Sequence, residues 1–318
     1  KKMITKNKNF SLLIIANLKI ITLFFFLLLS IFGEAQDDTP IASYPYETEL
    51  FYQRQLKRLE KNYKESNNIY ILDSIANLAF VYKDWETSIH FAQKAVEFKP
   101  NAKRYFLLGG AAGFRALQGS MLSSLKYVNI MKPAFEEAVK LEPNNTLYLR
   151  AKVDVLVSLP SLLGGSIKEA IKNIEKIKSL NTLEGLIAEG YLNEKIGYKE
   201  IAKKVYERAF EYLDENYSNC SESFLEYLKK NRRNLAYDLG RIASDYNLNF
   251  KWSQCALNYF EKTYRLNDTV PLAWVYLNRV RLAKIENNKP LMKDYIEKTL
   301  LFKKEYPKLE KLISSLKL

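Results

Sequence analysis

The stretch Lys132-Pro133-Ala134-Phe135-Glu136-Glu137-Ala138-Val139-Lys140-Leu141-Glu142-Pro143 sets the reading of the whole chain. An aromatic residue is followed three positions later by alanine, and five positions after that by proline. A spacing of three puts Phe135 and Ala138 on one helix face, and the proline ring ends the helix because it cannot continue the backbone hydrogen bonding. Alanine at a fixed place on that face marks where a neighbouring helix comes too close for a larger side chain. The skeleton returns as Ser88, Ala92, Ala95 and Pro100, and again as Ala202, Tyr206, Ala209 and Asp214. Such a period implies stacked helix pairs, each burying its apolar face against the next.

Working outward, the first pair spans about Asn68 to Pro100. Its first helix carries Ile71, Leu72, Ile75, Leu78, Ala79 and Tyr82, Lys83-Asp84 makes the turn, and Trp85 opens the second helix. The second pair ends at Pro143 and exceeds a 34-residue unit by about nine residues, placed between Ala116 and Pro133. The third has the turn Leu159-Pro160-Ser161-Leu162-Leu163-Gly164-Gly165-Ser166, with Ser166 as N-cap and Glu169 completing a capping box. The fourth is the cleanest: Leu186 and Gly190, then Gly197-Tyr198, then Ala202, Tyr206 and Ala209. A polar stretch from Asp214 to Ser223 leads into one long helix, Phe224 to Tyr246. Trp252, Ala256 and Phe260 mark a fifth pair, and Trp274, Leu277, Pro290, Ile296 and Leu300 a sixth. Residues 36–47 read as a flexible lead-in to a helix from Thr48 to Ser66, and a basic amphipathic helix, Lys308 to Leu318, reads as a cap.

These residues resemble the tetratricopeptide-repeat superfamily over roughly Asn68 to Tyr306, in its exported bacterial form. The resemblance implies an all-α fold, a right-handed superhelical solenoid of five to six helix–turn–helix repeats, residues 68–306, with residues 307–318 capping it. Asp214 and Asp268 stand where a helix-ending proline is usual, and Gly113 where an aromatic is usual. The resemblance further implies a concave groove lined by first helices, to which Arg104, Phe114, Arg150, Asp154, Tyr191, Arg241 and Arg279 belong, beside Leu107, Ala111, Val157, Glu184, Ile187 and Glu194. Arginine and tyrosine carry much of the energy in protein interfaces, and four arginines in one groove point to a protein or peptide partner with acidic groups. The expected function is a scaffold or adaptor that binds without catalysing. The turn Leu159–Ser166 is similar to one in exported repeat proteins associated with tripartite solute transporters. That likeness implies the alternative, an envelope component of solute uptake that binds a small ligand or a solute-binding protein.

The compartment is read from the start of the chain. Lys6 and Lys8 precede an apolar run whose cleanest part is Ile20 to Phe32, and Gly33-Glu34-Ala35 offers small residues at a cleavage site. Residues 1–35 therefore read as a secretory signal cut near Ala35, giving a periplasmic or secreted protein. The alternative is a retained anchor over Phe10 to Phe32, with Lys19 reaching out to the interface. In that case alone would the membrane be touched. The net charge of +13 falls to +9 without those residues, which hold five lysines and one glutamate. The remaining lysines are interspersed with glutamates, a solvated face rather than a nucleic-acid patch. Cys220 sits in a polar turn and Cys255 in a helix. Export permits a bridge between them, but spacing does not bring them together, so they read as two unpaired thiols.

Catalytic and metal chemistry find little to use. His90 is the one histidine, and it reads as a helix-surface residue. One histidine and two cysteines cannot supply a zinc site of usual spacing. Gly109-Gly110-Ala111-Ala112-Gly113 has neither the dinucleotide spacing nor a following Gly-Lys-Ser/Thr, and Gly164-Gly165 lacks a lysine for a phosphate. Helix contact and turn geometry explain both. Adjacent acids such as Glu136-Glu137 point in different directions on a helix. No cofactor is called for.

Overall fold

A computed structural model describes residues 39–316, whose regular structure is helical. In chain order the helices are α1 (Leu50–Ser66), α2 (Ile69–Val81), α3 (Trp85–Phe98), α4 (Ala102–Gln118), α5 (Met121–Leu141), α6 (Thr146–Ser158), α7 (Ile167–Leu180), α8 (Thr182–Lys195), α9 (Lys199–Asn216), α10 (Glu222–Lys230), α11 (Leu235–Tyr246), α12 (Phe250–Lys262), α13 (Leu272–Ile285), α14 (Lys289–Leu300) and α15 (Lys308–Ser315). A short 3₁₀ turn, Ser161–Leu163, lies between α6 and α7, and no strand occurs among the described residues. The all-α class agrees with the sequence pattern.

The helix starts are set by side chains that cap the first free N–H groups. Asn68, Asp84, Asn101, Asn145, Ser166, Asn181, Ser221 and Asn288 each accept a hydrogen bond from a backbone N–H two or three residues on. The capping box at Ser166 is only half made. Ser166 Oγ accepts from the Glu169 N–H, but the Ser166 N–H donates to the Leu156 carbonyl and Glu169 pairs with Lys152. The extra length of the second pair lies in α4 and in α5, which runs through Pro133.

Packing is helical and repeat-like. α2 packs on α3, α4 on α5, α6 on α7, α8 on α9, α11 on α12 and α13 on α14. The first helices also meet their counterparts, α2 with α4, α6 with α8 and α11 with α13. The alanines of the skeleton lie at these contacts: Ala92, Ala95, Ala138, Ala202 and Ala209 are all buried. At Gly190 the approach is closer still, since a Cβ there would stand 2.1 Å from the Tyr206 ring. Apolar residues from Leu183 to Ile313 form one continuous core, with α15 contributing Leu309 and Ile313 to it.

Three expectations need correcting. The long helix from Phe224 to Tyr246 is two helices, α10 and α11, separated by Asn231-Arg232-Arg233-Asn234. Both arginines reach away to distant partners. Arg233 grips both oxygens of Asp268 at 2.8 and 2.9 Å and lies 4.0 Å from the Phe260 ring centroid, while Arg232 binds Glu184 and Asp238. Charge-assisted bonds of this kind are stronger than the neutral helical bonds given up at the break. They also explain Asp268, whose carboxylate is buried as a partner for Arg233 instead of the usual proline.

The cysteines are joined, not free. Cys220 and Cys255 form a disulfide with Cα atoms 5.6 Å apart, tying the turn after α9 to α12.

The lead-in is not loose where it is described. Residues 39–48 form a strap that joins the two ends of the helical array. The Ala42 N–H donates to the Thr269 carbonyl at 2.7 Å, Ser43 Oγ donates to Glu305 at 3.0 Å, and Thr39 Oγ1 lies 2.6 Å from Tyr237 Oη. On the other side Tyr44 packs edge-on against Tyr82 of the first pair. Lys83, in the first hairpin turn, donates directly to the Leu266 carbonyl in the loop between α12 and α13. The signal segment expected over residues 1–35 lies outside the described residues. Among the described residues no helix is long and apolar enough to cross a membrane.

Candidate binding face

A ladder of buried ion pairs runs across successive first helices. In α6, Arg150 Nε donates to Asp154 at 2.8 Å, and its guanidinium lies 5.2 Å from the ring centroid of Tyr191 in α8. Arg150 Nη1 stands 3.9 Å from Glu184 Oε2, also in α8. That same oxygen accepts from Arg232, which also binds Asp238 in α11. Burial disfavours the Arg150 charge, but Asp154, Asp238 and Glu184 more than offset this and raise its pKa above the ordinary arginine value. Arg232 is raised further, again against the cost of burial, with Glu184 and Asp238 as the main opposing charges.

One helical turn beyond Tyr191 the pattern repeats. Glu194 accepts from Arg241 at 2.9 and 3.3 Å and from Tyr206 Oη at 2.8 Å. Arg241 also meets Asp245, four residues on in α11, and Asp245 is shared with Arg281 of α13. Arg281 and Ser244 both donate to the Asn278 side-chain oxygen. Burial raises the Asp245 pKa, even with Arg241 and Arg281 beside it.

The expected groove residues divide. Arg150, Asp154, Tyr191 and Arg241 fall on this ladder, with Glu184 and Glu194 joining them. Arg104 lies apart, gripping both oxygens of Asp73 at 2.7 Å between α2 and α4. Phe114 packs 4.9 Å from Trp85 within the apolar layer of the first two pairs. Arg279 points toward α12 and α14, binding Asn258, Gln254, Glu261 and Tyr295. From the sixth pair it is Arg281, not Arg279, that reaches the ladder. Arg150, Arg241 and Arg279 are buried and engaged with carboxylates of the chain itself, so they do not stand open in solvent. Arg232, Asp238, Asp245 and Arg281 were not singled out from the sequence. The i,i+4 spacing of Arg241 and Asp245, repeating that of Arg150 and Asp154, was the available signal.

Some buried polar atoms of the ladder are left without a hydrogen bond, Asn278 Nδ2 among them. Arg150 Nη1 and Glu184 Oε1 are both buried, and neither has a hydrogen-bond partner among the described residues. Such buried atoms cost free energy while they lack a hydrogen bond, and at Arg150 Nη1 the ion pair with Glu184 Oε2 at 3.9 Å offsets part of it.

The strap creates two small cavities. One, of about 300 Å³, is lined by Tyr44, Tyr46, Trp85, Glu86 and Arg115. The other, of about 230 Å³, is lined by Lys83, Tyr264, Leu272, Phe302 and Tyr306. Burial pushes the Lys83 amine down to about 8, opposed by Asp268 and Glu305. A lysine whose folded pKa lies below its unfolded value of 10.5 binds its proton less tightly in the folded state. Stability at this contact therefore rises with pH from about 8, an expected gain of about 1–3 kcal/mol. Urea unfolding between pH 8 and 9 measures it as the difference between the wild type and Lys83→Met, in which the onset of tyrosine ionisation is common to both, and the variant is expected to lack the rise. An equal rise in the variant would remove Lys83 as its source.

Comparison with models of known protein families and with curated proteins returns no match.

Proposed function

We propose that this chain is an exported tetratricopeptide-like repeat protein that acts as a scaffold or adaptor, binding an extended segment of another polypeptide along the ladder of α6, α8 and α11. The observation that carries this reading is the accessible edge of the ladder, where Tyr191 and the half-exposed Asp154 are held in place by the buried Arg150. Tyr191 beside Arg150 and the half-exposed Asp154 supply contacts for side chains on either flank. Because Asp154, Glu184, Asp238, Glu194 and Asp245 already balance the arginines, main-chain recognition fits this face better than capture of a strongly acidic stretch.

The test is a photo-crosslinking amino acid in place of Tyr191, introduced in intact cells. A discrete polypeptide adduct is expected. It is expected to vanish in Arg150→Met with Glu184→Leu, a pair that replaces buried charge by apolar groups of similar size and should preserve folding. No adduct, or one indifferent to the double variant, would sink the reading.

The second reading is the envelope component of solute uptake. It is supported by the strap and the Lys83 contact, which join the first and last pairs and favour an enclosed ligand over an open groove. Thermal shifts against a metabolite panel test it, and no shift at millimolar ligand counts against it.

A further inference from the structure

Most arginines among the described residues pair with carboxylates of the chain. Arg104, Arg115, Arg150, Arg232, Arg233, Arg241, Arg279 and Arg281 all face carboxylates. Arg54, Arg58, Arg208 and Arg265 make no ion pair among the described residues, and of these Arg54 and Arg58 lie together on α1. With Lys57, Lys61 and Lys64 they form one exposed cationic stripe. Arg54, Lys57, Lys61 and Lys64 follow one another at spacings of three and four, so they share one line along the helix, with Arg58 beside it. Among the described residues the one ion pair of these five is Lys61 with Glu65 at 3.7 Å, and both members are exposed. The opposite side of the helix is anchored: Tyr52 is buried and its hydroxyl donates to Asp84 at 2.7 Å. The orientation of the stripe is therefore fixed by the fold.

Apolar groups stand at the start of the same helix. Leu50 is 66% and Phe51 56% exposed. A helix that packs by one face and presents lysine and arginine beside phenylalanine and leucine on the other has the make-up of a surface that rests on lipid headgroups. The stripe lies on one exposed helix face, to which a fluid layer of anionic headgroups can conform. We propose that α1 docks this protein onto an anionic lipid surface, the cations meeting headgroup phosphates and Phe51 and Leu50 entering the interface. The ladder of α6, α8 and α11 plays no part in this, and the proposal stands whether or not that ladder binds a polypeptide.

The experiment is co-sedimentation of the full chain with vesicles. One set is phosphatidylcholine alone and the other contains about one third phosphatidylglycerol. Any binding through the apolar run Ile20 to Phe32 is common to both sets and to every variant, and drops out of the comparison. Each cation at an anionic surface raises partitioning about fivefold, so Arg54→Glu with Lys57→Glu and Lys61→Glu is expected to lose on the order of a hundredfold on the anionic vesicles. Raised salt should abolish the difference between the two vesicle sets. A control with the same charge change at exposed lysines elsewhere, Lys204→Glu with Lys230→Glu and Lys293→Glu, is expected to keep wild-type partitioning. Circular dichroism shows that each variant is folded.

Three outcomes would overturn the proposal. Equal partitioning of the wild type to both vesicle sets removes the lipid charge as the cause. An equal loss in the control reduces the effect to net charge. Binding to soluble polyglutamate as strong as to the vesicles at matched charge would make the stripe a general reader of acidic polymer.

Discussion

Replacing Glu194 with alanine is expected to be the most damaging single change in the ladder. Its carboxylate is buried at the end of α8, where it accepts from both Arg241 nitrogens and from Tyr206. One side chain thus joins α8, α9 and α11. Without it Arg241 keeps a share of Asp245, but Asp245 is also held by Arg281 and cannot balance both charges. Breaking a buried pair from one side costs about 3–5 kcal/mol, because the remaining charge stays desolvated. For a domain of this size the melting temperature should fall by on the order of 10 °C. Glu194→Leu combined with Arg241→Met should recover most of the loss, since it removes both charges and fills the space. Tyr206 would still lack its acceptor, a residual cost of about 1 kcal/mol that Tyr206→Phe relieves. A loss below about 1 kcal/mol for the single change, or no recovery in the double variant, would show that the pair contributes little.

The Glu194 case also marks the boundary of what a sequence shows. Helix type and pairing were readable because they rest on local spacing. Ala92, Ala138, Ala202 and Ala209 recur at fixed places, and each is buried where a neighbouring helix crosses. The candidate site was readable only in part. Arg150 and Asp154 are one turn apart, so their pairing is local. Arg241 and Glu194 are not neighbours in sequence, and the choice of Glu194 as partner depends on how α8 lies against α11. The misplacement of Arg279 has the same origin. Rotating a helix by two residues turns its side chains to the opposite side, so Arg281 reaches Asp245 while Arg279 faces Glu261. The break at Asn231-Arg232-Arg233-Asn234 was hidden because its cause is remote. Helix periodicity continues through those residues, but Glu184 and Asp268 hold the arginines elsewhere. The strap was hidden for a similar reason, since its partners lie at the far end of the chain.

Reducing the Cys220–Cys255 disulfide should have the next largest effect. The bridge closes a loop of 35 residues that contains α10 and α11. Restricting a loop of that length in the unfolded chain is worth about 3–4 kcal/mol in the chain-entropy account. Comparing the oxidised and reduced wild-type protein in urea is cleaner than substitution at Cys255, because that residue is buried in the core and its loss would add a cavity cost. Cys220 is exposed, so Cys220→Ser should match the reduced protein. The loss should not spread evenly. In a repeat-like array each pair leans mainly on its neighbours, so hydrogen exchange should rise first in α10 and α11 while α2 to α5 keep their protection. Because α11 carries Arg241 and Asp245, reduction should also loosen the Glu194 contact, and the cost of Glu194→Ala should shrink in the reduced protein. Two results would argue against the bridge as a structural staple. Free thiols found by alkylating never-reduced protein would remove it, and identical urea midpoints for both redox forms would leave it without mechanical effect. A strictly additive outcome, with the bridge and Glu194 each costing the same in either background, would mean that the loop and the ladder fold independently even though α11 belongs to both.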